Sequence, residues 1–130
     1  MKSFEDLAVW QEGCKIAKEI YQVTGEGDFT KDFGLRDQIR RCAVSIPSNI
    51  AEGKERETVK ELIRYLYSAK GSTAELRTQL FIANKIGYLN ERTHIDLAEK
   101  IVKVSAMLGK FIKMLKSGEV GKGEENRKGE

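Results

Sequence analysis

Apolar residues recur along this chain at alternating intervals of three and four, the spacing that lays a stripe along one side of an α-helix. The pattern occurs in four runs. The first comprises Leu7, Trp10, Cys14, Ala17 and Tyr21, with Ser3 and Asp6 placed ahead of it as an acidic capping box and Thr24-Gly25 as its stop. The second, Leu35, Ile39, Cys42, Ile46 and Ile50, keeps helical phase through Pro47, the only proline in the sequence. A proline inside a helix removes one backbone donor and crowds the preceding turn, so one kinked helix is expected, with Gly53 as its stop signal. The third opens on Thr58 and Glu61 as a capping box, runs through Leu62, Leu66, Ala69, Thr73, Leu76, Leu80 and Ala83, and ends near Gly87. The fourth follows Asn90 through Leu97, Ile101, Val104, Leu108, Phe111 and Leu115 to a stop at Ser117-Gly118.

Short connections between long helices favour antiparallel neighbours. The expected fold is therefore all-α: an antiparallel up-down-up-down four-helix bundle over residues 1–117, with two short and two long helices and a Pro-kinked second helix. The Gly- and Asp-rich segment from Gly25 to Asp32 is expected to be a loop pinned to the body by Phe29 and Phe33. Residues 118–130 combine glycines and charges with Val120 as the only aliphatic side chain, too little apolar surface to offset ordering, and are expected to be disordered. At 130 residues the chain fits one domain. Its apolar runs, such as Leu80-Phe81-Ile82-Ala83, fall far short of the ~20 residues of a membrane span. The N-terminus has no apolar signal region, which points to the cytoplasm.

Candidate chemistry is sparse. Cys14 and Cys42 lack Cys-x-x-Cys spacing and read as core thiols rather than a disulfide or zinc site. His94 is the only histidine and reads as a solvated surface residue, while Ser45, Ser48 and Ser72 have no His-plus-acid pattern to activate them. There is no P-loop or dinucleotide fingerprint. No enzyme, cofactor or metal is expected. Gly71 lies in mid-helix, where glycine costs about 1 kcal/mol relative to Ala, and so implies a close backbone approach within one subunit or between two. Asn49 stands among Ile46 and Ile50, where a buried amide must find partners; it is expected to bond the carbonyl freed by Pro47 or to fix helix register. Glu52 is either a buried acid or a solvated residue at a helix end.

Charge is more informative. The net charge is +3, and residues 118–130 alone carry −1. From Lys100 to Lys116 the fourth helix has five lysines and no acid. Lys103, Lys110, Lys113 and Lys116 lie on the arc opposite Ile101, Leu108 and Leu115. Arg36 and Arg40 are one turn apart on the second helix, with Arg41 pointing away. Such groups suit phosphate contacts. The competing reading is a solvated lysine face near a helix C-terminus, with Arg36 and Arg40 in ion pairs across an interface. Because no aromatic residue interleaves with the lysines on that face, binding would follow backbone charge or shape, not base stacking. The chain also has more aromatic residues than one seam can bury, Tyr65 and Tyr67 facing different sides, which leaves apolar surface for a partner, most simply another copy.

The second helix carries a specific resemblance. Phe33-Gly34-Leu35, Gln38-Ile39-Arg40-Arg41 and Val44-Ser45-Ile46-Pro47-Ser48-Asn49-Ile50-Ala51-Glu52-Gly53 closely resemble the bacterial four-helix bundle proteins encoded in intervening sequences of 23S ribosomal RNA genes. The opening Phe4-x-x-Leu7-x-Val9-Trp10 and the later Gly71-Ser72-x-x-Glu75-Leu76 and Gln79-Leu80-x-x-Ala83 fit the same pattern, which covers roughly residues 4–115. The resemblance implies an antiparallel bundle assembled as a ring-like homopentamer, and kinship with the accessory proteins of diversity-generating retroelements, which bind nucleic acid and a reverse transcriptase through a basic surface. Pro47, Asn49, Glu52 and Gly53 belong to the motif as structural residues. Arg40 and Arg41 match its basic pair, whereas the fourth-helix lysines rest on charge alone. The expected function is a cytoplasmic, non-catalytic homo-oligomer that binds structured RNA or DNA. The alternative is a protein-interaction adaptor, for a reverse transcriptase or a ribosome-associated partner, that binds no nucleic acid.

Overall fold

A computed structural model describes residues 3–118, and the expectation for the charged tail lies outside them from residue 119 onward. Four helices make up the body: α1 (Ala8–Val23), α2 (Phe33–Lys54), α3 (Val59–Lys85) and α4 (Glu91–Ser117), with 3-10 turns at Phe4–Asp6 and Gly27–Thr30. No strand occurs among the described residues. Each helix packs on the next, and α4 closes on α1. The α1/α3 and α2/α4 pairs are diagonals without comparable backbone approach. Contacts between neighbours run in opposite order along the two chains: Gly13 faces Ile46 and Pro47, and Tyr21 meets Arg40. Likewise Cys42 meets Ser72 while Gly53 abuts Tyr65, and Tyr67 meets Lys116 while Phe81 meets His94.

The helix signals behave unevenly. Thr58 Oγ1 accepts from Glu61 N (3.1 Å) and Asn90 Oδ1 from Thr93 N (2.8 Å), so α3 and α4 start where their caps predict. Gly118 adopts φ 82°, the left-handed conformation that closes α4. Ser3 does not cap α1. Its hydroxyl accepts from Glu5 N inside the 3-10 turn, and extended Leu7 separates that turn from α1. Gly53 does not stop α2, which continues through Pro47 to Lys54 as one helix. Instead Gly53 is buried against α3, where a Cβ would lie 2.6 Å from Tyr65 Cβ.

The stripes of α2, α3 and α4 are buried apart from half-buried Leu35 and Leu62 at the starts of α2 and α3, with Ile112 taking the core position expected of half-buried Phe111. In α1 the core face is shifted. Val9, Gly13, Ile16 and Ile20 are buried, whereas Leu7, Trp10 and Ala17 flank the core and Tyr21 is exposed. The reason is Gly13, whose missing side chain brings this face onto Pro47. Of the two loop aromatics, Phe29 is fully buried, but Phe33 is 61% exposed beneath the Arg36 guanidinium.

Gly71 has nothing within 4 Å of where its Cβ would be, so no close approach within the subunit explains it. Gly71→Ala is therefore expected to raise stability by about 0.5–1 kcal/mol in a urea titration of the isolated protein. A loss instead would place a second copy against this turn.

Candidate nucleic-acid interface

The arginines and lysines singled out in the sequence fall into separate places. Arg36 Nε donates to Asp37 Oδ1 (3.1 Å) and its guanidinium lies over Phe33. Arg40 Nε donates to buried Thr24 Oγ1 (2.8 Å), its plane over the Tyr21 ring at 4.5 Å, so it ties the end of α1 to α2. Arg41 is exposed and has no partner among the described residues. All three stand on α2, diagonal to the lysines of α4. The two sets do not share an edge of the bundle.

The lysine face itself divides along the ridge of α4. Lys110 borders an apolar groove toward α1, lined also by Leu7, Met107, Phe111 and Met114. Lys113 and Lys116 turn toward α3. There they border a groove of about 330 Å³ with Tyr67, Lys70, Gly109 and Ile112. Lys103 is exposed on the outer surface.

The α3–α4 groove is built by helix register. Tyr67 and Lys70 are three apart on α3, as are Lys113 and Lys116 on α4, so each helix contributes one side. Lys70 crosses onto α4, where Nζ donates to Ser105 Oγ (2.9 Å) and lies 3.4 Å from Ser105 O. Gly109 leaves room for that crossing: a Cβ there would touch Lys70 Cε at 3.6 Å. Lys116 Nζ donates to Tyr67 Oη at 2.7 Å. Lys113 is exposed with no partner among the described residues. Among the described residues the lining contains no carboxylate. Three ammonium groups around an open concavity form an attractive site for a polyanion, because no acid among the described lining residues neutralises them.

Sequence periodicity could identify Tyr67-x-x-Lys70 as one stripe, but only the pairing of α3 with α4 brings it to Lys113. That pairing also overturns the expectation that no aromatic residue accompanies the lysines. Tyr67 is 47% exposed in their midst.

The remaining motif residues have structural partners. Asn49 Nδ2 donates to Ser45 O (2.8 Å) and not to the Ala43 carbonyl that Pro47 leaves without its usual donor. Ser45 is one turn behind Asn49 on the same side of the helix, whereas Ala43 points elsewhere. Glu52 is exposed and accepts from Arg56 and from Tyr65 Oη, so it is a solvated end-of-helix acid that joins α2 to α3. His94 is largely covered rather than solvated: its side chain is 17% exposed and its ring meets Phe81 edge-on.

Cys42 and Cys14 are both free, and only Cys42 is buried, Cys14 being half-buried. Burial, then the charge and hydrogen bond of Glu75, push the Cys42 thiol up to about 12, and burial also raises Cys14. A thiol reagent at pH 8 is accordingly expected to label Cys14 first and Cys42 only on unfolding, as mass spectrometry would read. The folded chain holds the Cys42 proton more tightly than the unfolded one. This contribution to stability is full below pH 9 and is lost as pH rises toward 12.

A four-helix all-α body with an open basic groove, and no group of acid, His or Cys residues among those described that could hold a metal, defines a small helical protein whose candidate site is a surface. A family model described as 23S rRNA-intervening sequence protein matches residues 5–110, and the chain belongs to that family. Comparison with curated proteins finds no match. No helix among the described residues is long and apolar enough to cross a membrane.

Proposed function

We propose that this protein is a non-catalytic, cytoplasmic, homo-oligomeric scaffold that binds RNA or DNA along the phosphate backbone, with the α3–α4 groove as its principal contact. The observation that carries this reading is the convergence of Lys70, Lys113 and Lys116 with no carboxylate among the described lining residues. Lys110 and Lys103 extend the positive surface beyond it, and unpartnered Arg41 supplies a separate contact on α2. Arg36 and Arg40 are committed to partners within the chain, which favours this reading over the adaptor in which they pair across an interface. The opposed run of contacts between neighbouring helices supports the up-down-up-down order. Exposed Phe81, Ile82, Ile86, Ile95 and Val102 support self-association, for which a pentamer is the form that the sequence resemblance implies.

Fluorescence anisotropy with labelled structured RNA and duplex DNA, from about 50 to 200 mM salt and with light-scattering mass on the same sample, tests the proposal. Each neutralised phosphate on duplex DNA contributes about 0.9 to the slope of log affinity against log salt. Three lysines engaged predict a slope of about 3 or steeper from an oligomer. Absent or salt-insensitive binding would transfer the case to the protein adaptor.

A further inference from the structure

We propose that the Tyr67 ring is a stacking platform for an unpaired base, so that the α3–α4 groove, which meets any strand through its phosphates, holds single-stranded nucleic acid more tightly than the side of a duplex. The inference rests on the groove being a nucleic-acid site and adds which form of strand it takes.

Other exposed or half-buried rings of the bundle are occupied or lie outside the groove. Tyr21 lies under Arg40, and Phe33 under Arg36. Tyr65 is held by Arg56 at 4.9 Å and Arg64 at 4.6 Å, within a network that includes Glu52 and Glu61. Phe81 lies beside Lys85 and against His94. Tyr67 differs in the position of its cation. The Lys116 ammonium is 2.7 Å from the hydroxyl but 5.0 Å from the ring centroid, so it sits beyond the hydroxyl end of the ring and not over its face. It anchors the phenol while leaving the π-face available.

Around that ring the cations are arranged for a strand's phosphates. Lys70 is held across α4 by Ser105, and Lys113 has no partner among the described residues. An aromatic face set in a basic groove is the combination that binds single strands, because bases stack on the ring while the backbone follows the charge. A duplex keeps its bases stacked inside and offers the same groove phosphates only. Its affinity should not depend on the ring.

The test compares a labelled single-stranded oligo-U RNA with a blunt RNA duplex in anisotropy titrations of the full-length protein and its Tyr67→Ala, Tyr67→Phe and Lys113→Glu variants, each checked for helicity by circular dichroism. Tyr67→Ala is expected to weaken single-strand binding by about 5- to 150-fold and to leave duplex binding unchanged. Tyr67→Phe, which keeps the ring and loses the Lys116 hydrogen bond, should remain within about threefold of the parent, whereas Lys113→Glu should weaken both ligands. Unchanged single-strand affinity in Tyr67→Ala, or equal loss on both ligands, would overturn the stacking platform. If Lys113→Glu still weakens binding in that case, the groove stands as a backbone site. If it does not, the groove itself is wrong.

Discussion

Phe29→Ala is expected to lower the unfolding free energy by about 3–5 kcal/mol, read as a shift of the urea midpoint by circular dichroism. Phe29 belongs to the loop between α1 and α2, yet it is fully buried and meets Tyr88 edge-on at 5.3 Å between ring centroids. Tyr88 in turn donates from Oη to Asp32 Oδ2 (3.0 Å), while Asp32 Oδ1 accepts from Leu35 N and caps α2. The hydrogen bond to Asp32 raises the Tyr88 hydroxyl above its ordinary value, followed by burial and the Asp32 charge. Removing the Phe29 ring thus leaves a cavity where a loop, the start of α2 and the α3–α4 turn converge. For a domain of ordinary stability, about 5–15 kcal/mol, this is a large fraction of the total. Phe33→Ala, four residues on and mostly exposed, should change stability by no more than about 0.5 kcal/mol.

Gly53→Ala is the second large effect. Alanine is favoured over glycine within a helix by about 1 kcal/mol, so propensity alone predicts stabilisation. Packing predicts the reverse. The new Cβ would stand 2.6 Å from Tyr65 Cβ and 3.3 Å from the Leu62 carbonyl oxygen. Both atoms are fixed to the α3 backbone, and no rotamer change relieves the overlap. The α2–α3 pair must separate, and a net loss of about 1–3 kcal/mol is expected in the same urea assay. Gly71→Ala, whose Cβ would meet nothing, is the matched control with the opposite sign.

These two glycines show what was legible before the structure. Periodicity located four helices and most of the core of α2, α3 and α4, because a helix buries a stripe of fixed spacing whatever it packs against. Local caps at Thr58, Asn90 and Gly118 were equally readable, since each depends on a side chain or backbone conformation within a few residues. The purposes of Gly53 and Gly71 were not, because closeness depends on the partner helix. A glycine at a helix end reads as a stop when in fact it makes space for Tyr65. The core face of α1 was misread for a related reason: Gly13 and Pro47 draw together a face that its own apolar residues do not single out. The site was legible only in part. The α4 lysines were evident from charge, but Lys70 and Tyr67 became part of their surroundings through the register of α3 against α4.

The most direct test of the groove separates its location from net charge. Lys113→Glu with Lys116→Glu and Lys15→Glu with Arg92→Glu alter the charge equally, and Lys15 and Arg92 are exposed residues outside the groove. Salt titrations of RNA and duplex DNA binding should show the first pair losing most affinity, with the slope on duplex DNA falling by about 2, while the second pair keeps nearly the parental slope. Equal losses in both variants, or none in either, would contradict a nucleic-acid interface at the α3–α4 groove.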